Sequence, residues 1–202
     1  MITTIIQTTI IYWVTAIDLL LILALLFVKF DQSKHQLISL GQMIGSLLLV
    51  GISLLLAYVF HFVPEQWILG LLGLVPLFFG LKYLFIGDDD EEEVEETLEK
   101  RKNKNLLVTV TLISFASCGA DNIGLFTPFF VNLDNSLLLI SVLTFVVNII
   151  LLGFLGKSIS KIRVLHNFLE KYSRWVIGGV YIVLGLMIII DSGTINKLLS
   201  LF

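Results

Sequence analysis

Leu106–Val131 reads LLVTVTLISFASCGADNIGLFTPFFV: apolar or small at nearly every position, yet with an aspartate, Asp121, near its middle. At about 1.5 Å of rise per residue, such a stretch is long enough to cross a hydrocarbon layer of about 30 Å. The rest of the chain has the same character. Of 202 residues, 57% are hydrophobic and only 14% charged, with a mean hydropathy of +0.98. Soluble domains do not have that balance. The chain therefore reads as an all-α integral membrane protein. Its N-terminal MITTIIQ lacks a basic region, and no small-residue cleavage site follows the first apolar run, so no cleaved signal peptide is expected. The single cysteine, Cys118, cannot form an internal disulfide.

Six transmembrane helices are expected, over Thr4–Val28, Leu37–Phe60, Gln66–Ile86, Leu106–Val131, Ser136–Leu155 and Trp175–Ile190. Their connections alternate in basic content. Lys29 and Lys34 follow the first span; Lys100, Arg101, Lys102 and Lys104 follow the third; Lys157, Lys161, Arg163, Lys171 and Arg174 follow the fifth. The loops around Pro64 and Asp134 hold no lysine or arginine. The positive-inside rule puts the three basic loops in the cytoplasm and both termini outside. Trp67 and Trp175 fall near the interfaces, and Pro76 and Pro128 are expected to kink spans three and four.

An internal repeat is readable. HFVPEQWILGLLGLVPLFFGL from His61 aligns without gaps on HNFLEKYSRWVIGGVYIVLGL from His166, pairing Glu65 with Glu170, Gly73 with Gly178 and Gly80 with Gly185. A nearby offset lays AIDLLLILALLFV on GADNIGLFTPFFV and pairs Asp18 with Asp121. Three spans per half is an odd number, so the second half enters upside down. The expected architecture is two inverted three-helix repeats, residues 1–87 and 106–202, with a cytoplasmic linker at 88–105. That linker, GDDDEEEVEETLEKRKNKN, reads as a solvated charge run without apolar periodicity; a lesser reading lets its carboxylates concentrate cations near a cytoplasmic entrance.

Asp18 lies eleven residues before Lys29 and Asp121 eleven before Asn132, so both acids sit near the middle of the layer, on antiparallel helices. An aspartate there costs about 2.5–3.5 kcal/mol. No lysine, arginine or histidine lies at that depth in any span, and Lys82, near a helix end, can extend outward. Protons or an external cation must then balance the acids, and a divalent cation balances both at once. Cys118 and Thr15 share a helix face with Asp121 and Asp18, and Asn122 adds a carbonyl oxygen. The candidate metal set is thus Asp18, Asp121, Asn122, Cys118 and Thr15, although Cys118 also fits as a small buried hydrophobe and Thr15 as a back-bond to its own helix. A thiolate would favour soft ions of the zinc group. Asn148, alone in span five, suits helix–helix bonding equally well.

No Walker loop, GxGxxG after a strand, HExxH or CxxC is present, and His35, His61 and His166 sit in or beside loops as interface residues. The residues quoted above resemble the cadmium-resistance transporter family of bacteria, part of the lysine-exporter superfamily. The resemblance is carried by TAIDLLLILALLF, by GQMIG at Gly41–Gly45, by LGLLGLVPLFFGLK, GADNIGLFTPFF and RWVIGGVYIVLGL, with the DNIG-x-x-x-P block the most specific. It implies export of cadmium, with zinc a second cargo. The chain departs from the family at Leu19, where a second acid is common, and at Cys118, where asparagine is usual. A non-enzyme is expected, with the metal as cargo rather than cofactor, protons as the coupling ion, the bilayer as its surroundings, a homodimer left open, and no nucleic-acid partner. Three rivals remain: an exporter of an organic cation or amino acid, an intramembrane aspartyl protease using both acids, and a membrane scaffold with both acids protonated. The protease reading lacks the glycine-x-glycine-aspartate pattern, because the chain has GAD.

Overall fold

The computed structural model describes residues 1–60, 66–86, 90–102, 104–117, 119–160 and 163–199, and is helical with no strand among them. Cys118, and His61 and Glu65 of the repeat alignment, lie outside the described residues. The first expected span is a pair of helices, α1 (Ile2–Thr15) and α2 (Ile17–Lys29), bent by 56°. Ala16 at the break has φ −92° and ψ 0°. The Thr15 hydroxyl donates to the Tyr12 carbonyl at 3.0 Å, the local back-bonding that bends helices. A 3-10 turn, Gln32–Lys34, leads into α3 (His35–Phe60).

Span three is segmented. A short α4 (Gln66–Gly70) passes through a 3-10 turn at Leu71–Gly73 into α5 (Leu74–Phe85), so Pro76 falls in the first turn of α5, where its missing N–H disrupts little. Span four repeats the construction of span one. α7 (Leu106–Ala116), capped by the Asn105 side chain accepting from the Leu107 N–H at 3.0 Å, and α8 (Gly119–Val131) meet at 67°. That bend falls between the two helices, and Pro128 lies inside α8. α9 (Asn135–Ile159) is a long straight span, and α10 (Arg163–Asp191) carries its apolar stretch over Trp175–Asp191. A last helix, α11 (Thr194–Leu199), is tied back to α4 by the Thr194 hydroxyl donating to the Trp67 carbonyl at 2.9 Å. Among the described residues, three helices are long and apolar enough to cross a membrane, or up to five with each bent pair taken as one span, against the six expected; the apolar part of α10, Trp175–Asp191, is shorter.

The linker departs from the sequence reading. Asp90–Lys100 forms a helix, α6, that buries Val94 and Leu98 against α2 and α7 and pairs Glu95 with Lys29 at 3.3 Å. Two apolar residues four apart were enough to dock it, a signal the run of carboxylates hides.

Packing crosses the linker. α3 lies along α7 and α8 of the other half, α9 lies along α1 and α2, and α5 runs against α10. The halves read from sequence are therefore interleaved, not separately packed. α5 and α10 approach at glycines: a Cβ on Gly80 would stand 2.8 Å from the Gly178 carbonyl, and one on Gly73 would stand 2.6 Å from the Gly185 carbonyl. Polar bonds tie α1 to α9, with Thr8 and Ser141 hydroxyls 3.0 Å apart and the Trp13 indole N–H donating to Asn148 Oδ1 at 2.8 Å. Asn148 thus acts as a helix–helix bond, the simpler of its two sequence readings. The connections bearing Lys29, Lys34, Arg101, Lys102, Lys104 and Lys157 gather at one end of the bundle, where two neighbouring concavities share the turn after α2.

Candidate functional site

Each bent pair carries its acid in the same place. Asp18 is in the first turn of α2 and Asp121 in the first turn of α8, immediately after the break in each case. A helix N-terminus presents unpaired N–H groups and the positive end of its dipole, which favours a negative charge there. Both carboxylates are buried, at 8% and 6% exposure. α5 and α10 fill the space between them with two tyrosines. The Tyr83 hydroxyl lies 2.9 Å from Asp18 Oδ2 and 3.3 Å from Asp121 Oδ2. The two acids are therefore no farther apart than those two bonds laid end to end. The Tyr181 hydroxyl donates to Asp121 Oδ2 at 2.9 Å and stands 3.5 Å from Asn122 Oδ1. The two phenol rings meet edge to face, with centroids 5.7 Å apart.

A phenol has one proton to donate, so Tyr83 bonds one acid fully at any moment while its oxygen faces the other. Two carboxyl groups sharing so small a space need a proton or a cation between them, because two like charges there repel. Donors, acceptors and charge thus converge on one point: two acids, one amide oxygen and two hydroxyls, contributed by α2, α5, α8 and α10.

Of the five residues picked out by sequence, the structure brings together three, Asp18, Asp121 and Asn122. Thr15 is buried at the break beside Asp18 with its hydroxyl proton given to Tyr12. Cys118 lies outside the described residues. Among the described residues no group of three or more histidine, cysteine, aspartate or glutamate side chains gathers, so a cation here would be held by the two acids together with amide and phenol oxygens. Lys82, next to Tyr83, is exposed on the outer face of α5, as its place near a helix end suggested.

Tyr83 and Tyr181 escaped the sequence reading because tyrosine is counted among the hydrophobic residues and sits unremarked in an apolar run. A signal was present. Gly80-x-x-Tyr83 and Gly178-x-x-Tyr181 each set a hydroxyl one turn beyond one of the two glycines that touch. The bonds match as well, since Tyr83 reaches Asp18 and Tyr181 reaches Asp121 at the same 2.9 Å.

No curated protein and no solved structure matches the chain. A family model described as cadmium resistance transporter matches residues 12–201, which takes in both breaks, both acids and both tyrosines. The chain belongs to the cadmium resistance transporter family.

Proposed function

We propose that the protein exports soft divalent cations, cadmium first and zinc second, from a bacterial cytoplasm, exchanging each for protons at Asp18 and Asp121. The observation that carries this reading is the approach of both buried acids to one hydroxyl, that of Tyr83. A divalent cation entering there replaces two protons, one from each carboxyl group, so that the pair is neutral both loaded and empty. Asn122 and the two phenol oxygens complete an oxygen shell, and Cys118 is assigned as the soft donor that favours cadmium. Resistance to a toxic cation calls for outward movement.

The alternating-access scheme is that of inverted repeats. Support for two such repeats of three spans comes from the packing. Exchanging α1, α2 and α3 with α7, α8 and α9 turns the contacts of α3 on α7 and α8 into those of α9 on α1 and α2, and it leaves the α3–α9 contact in place. It likewise exchanges the bond of Tyr83 to Asp18 with that of Tyr181 to Asp121. Because the halves interleave, the units that move are not residues 1–87 against 106–202. They are α1, α2 and α9 against α3, α7 and α8, with α5 and α10 between. Gathering of the basic connections at one end of the bundle supports a cytoplasmic face there and both termini outside.

The test is growth of metal-sensitive cells expressing wild type, Asp18→Asn or Asp121→Asn, across cadmium, zinc, manganese and cobalt. Either substitution abolishes cadmium and zinc resistance with membrane insertion intact. Full resistance from Asp121→Asn overturns the site.

A further inference from the structure

At the basic end of the bundle, a concavity of about 460 Å³ opens between the end of α2, the turn that follows it, the last turns of α6 and the start of α7. Lys29, Lys34, Arg101, Lys102 and Lys104 line it, against two carboxylates, Glu95 and Glu99. Glu95 is engaged by Lys29 at 3.3 Å, and the Lys34 ammonium sits over the Phe30 ring at 5.5 Å from its centroid. The walls therefore carry three positive charges beyond what their own carboxylates offset. Loop lysines placed only to set orientation need no common cavity; these five residues come from two separate connections and share one because docking of α6 through Val94 and Leu98 holds the second connection beside the first.

The lining also includes three apolar side chains, Phe30, Leu98 and Leu106. Val28, next to Lys29 along α2, and Val108, next to Thr109 along α7, are exposed at 68% and 45%. Excess positive charge above an apolar edge matches an amphiphile whose head is anionic and whose tails lie along those helices.

We infer that this concavity binds a phosphate-bearing anion, with the headgroup of an acidic phospholipid as the source that its apolar edge favours over free phosphate. Basic residues gathered at a membrane surface recognise such headgroups by charge and by hydrogen bonds to phosphate oxygens. The inference is independent of the cargo and of the direction of transport. It also gives α6 a role beyond linking the halves: its carboxylates orient Lys29, and its C-terminal turn presents Arg101 and Lys102.

The test uses the full chain purified in mild detergent and given equal amounts of phosphatidylglycerol and phosphatidylcholine, with retained lipid counted by mass spectrometry of the intact complex. The wild type retains phosphatidylglycerol with about tenfold preference or more, the scale of one or two charge contacts at a membrane surface. Substituting Lys34→Gln, Arg101→Gln and Lys102→Gln together removes that preference; Arg101→Gln alone weakens it and serves if the triple variant does not assemble. Lys157→Gln, at the neighbouring concavity, leaves it unchanged. A second arm measures thermal stability in nanodiscs of phosphatidylcholine alone, of phosphatidylcholine with phosphatidylglycerol, and of phosphatidylcholine with millimolar inorganic phosphate. Stabilisation by phosphate equal to that by phosphatidylglycerol assigns the site to a soluble source of the same chemistry. Equal retention of the two lipids with no effect of phosphate overturns the inference, as does a preference that survives the triple substitution.

Discussion

Gly80→Ala tests whether the α5–α10 crossing sets the geometry of the acid site. The added methyl would stand 2.8 Å from the Gly178 carbonyl oxygen, 2.8 Å from the Ile182 nitrogen and 2.8 Å from Ile182 Cγ1. Two of those three atoms are backbone, so no rotamer change relieves the contact, and α5 must draw away from α10 by about half an ångström to reach ordinary van der Waals separation. Overpacking of that kind costs about 1–3 kcal/mol, against which alanine regains up to about 1 kcal/mol of helix propensity.

Gly179→Ala is the matched control. It takes the same propensity gain on the same helix with no heavy atom within 4 Å of the new methyl. The difference between the two variants therefore isolates the crossing, at about 1–3 kcal/mol. The functional consequence is sharper than the stability loss. Tyr83 is one turn beyond Gly80, and its 3.3 Å approach to Asp121 leaves hydrogen-bond range under a half-ångström displacement. Thermal unfolding in nanodiscs and cadmium uptake into inverted vesicles are the assays. Gly80→Ala unfolds at lower temperature than Gly179→Ala and loses most transport, whereas Gly179→Ala behaves as wild type. Equal stability and equal transport in the two variants would refute the claim that glycine contact at this crossing positions the tyrosines.

Tyr83→Phe removes the hydroxyl that faces both acids; with a bond to a carboxylate worth about 1.5–3 kcal/mol, cadmium transport falls by about tenfold to a hundredfold. Tyr181→Phe falls less, because Asp121 keeps its contact with Tyr83, and a larger loss in Tyr181→Phe than in Tyr83→Phe would reverse these roles. Cys118→Ser replaces a soft donor with a hard one, so dose–response growth curves show cadmium resistance reduced more than zinc resistance. Parallel loss for both metals would remove Cys118 from the selectivity of the site.

The all-helical apolar character, up to five of the six expected spans and the two acids were legible because each announces itself along the chain. Apolar runs have the length of the bilayer, and an aspartate amid them has a cost that demands a reason. Four things were not legible. The break at Ala16 carries no proline or glycine, and depends on a threonine bond whose tertiary setting sequence does not show. The tyrosines were hidden by their own apolar bulk. The docking of α6 rests on Val94 and Leu98 alone in a run otherwise dominated by charge. Interleaving of the halves is a property of how helices choose neighbours, and a repeat alignment is silent on that. The gapless alignment sets Gly73 opposite Gly178 and Gly80 opposite Gly185, and exchanging the halves in that register turns the Gly73–Gly185 contact into the Gly80–Gly178 contact. The tyrosines pair in a different register, which that alignment does not show.

Both acids stand one or two residues beyond a helix break, and the placement has a physical logic. Within an unbroken transmembrane helix every nearby backbone N–H is already bonded to a carbonyl, so a carboxylate finds no donor in its own chain. Starting a new helix at mid-depth frees the first N–H groups of α2 and of α8 and brings about half a positive charge from each dipole to the acid in its first turn. A lysine at the same spot would supply a full charge, but one that an arriving cation must displace and that repels it on approach. A dipole does neither, because its charge is partial and fixed in the backbone. Broken helices therefore support two buried acids without a resident lysine to neutralise them. Buried hydroxyls complete the arrangement: that of Thr15 lies within a turn of Asp18, and those of Tyr83 and Tyr181 reach the acids directly.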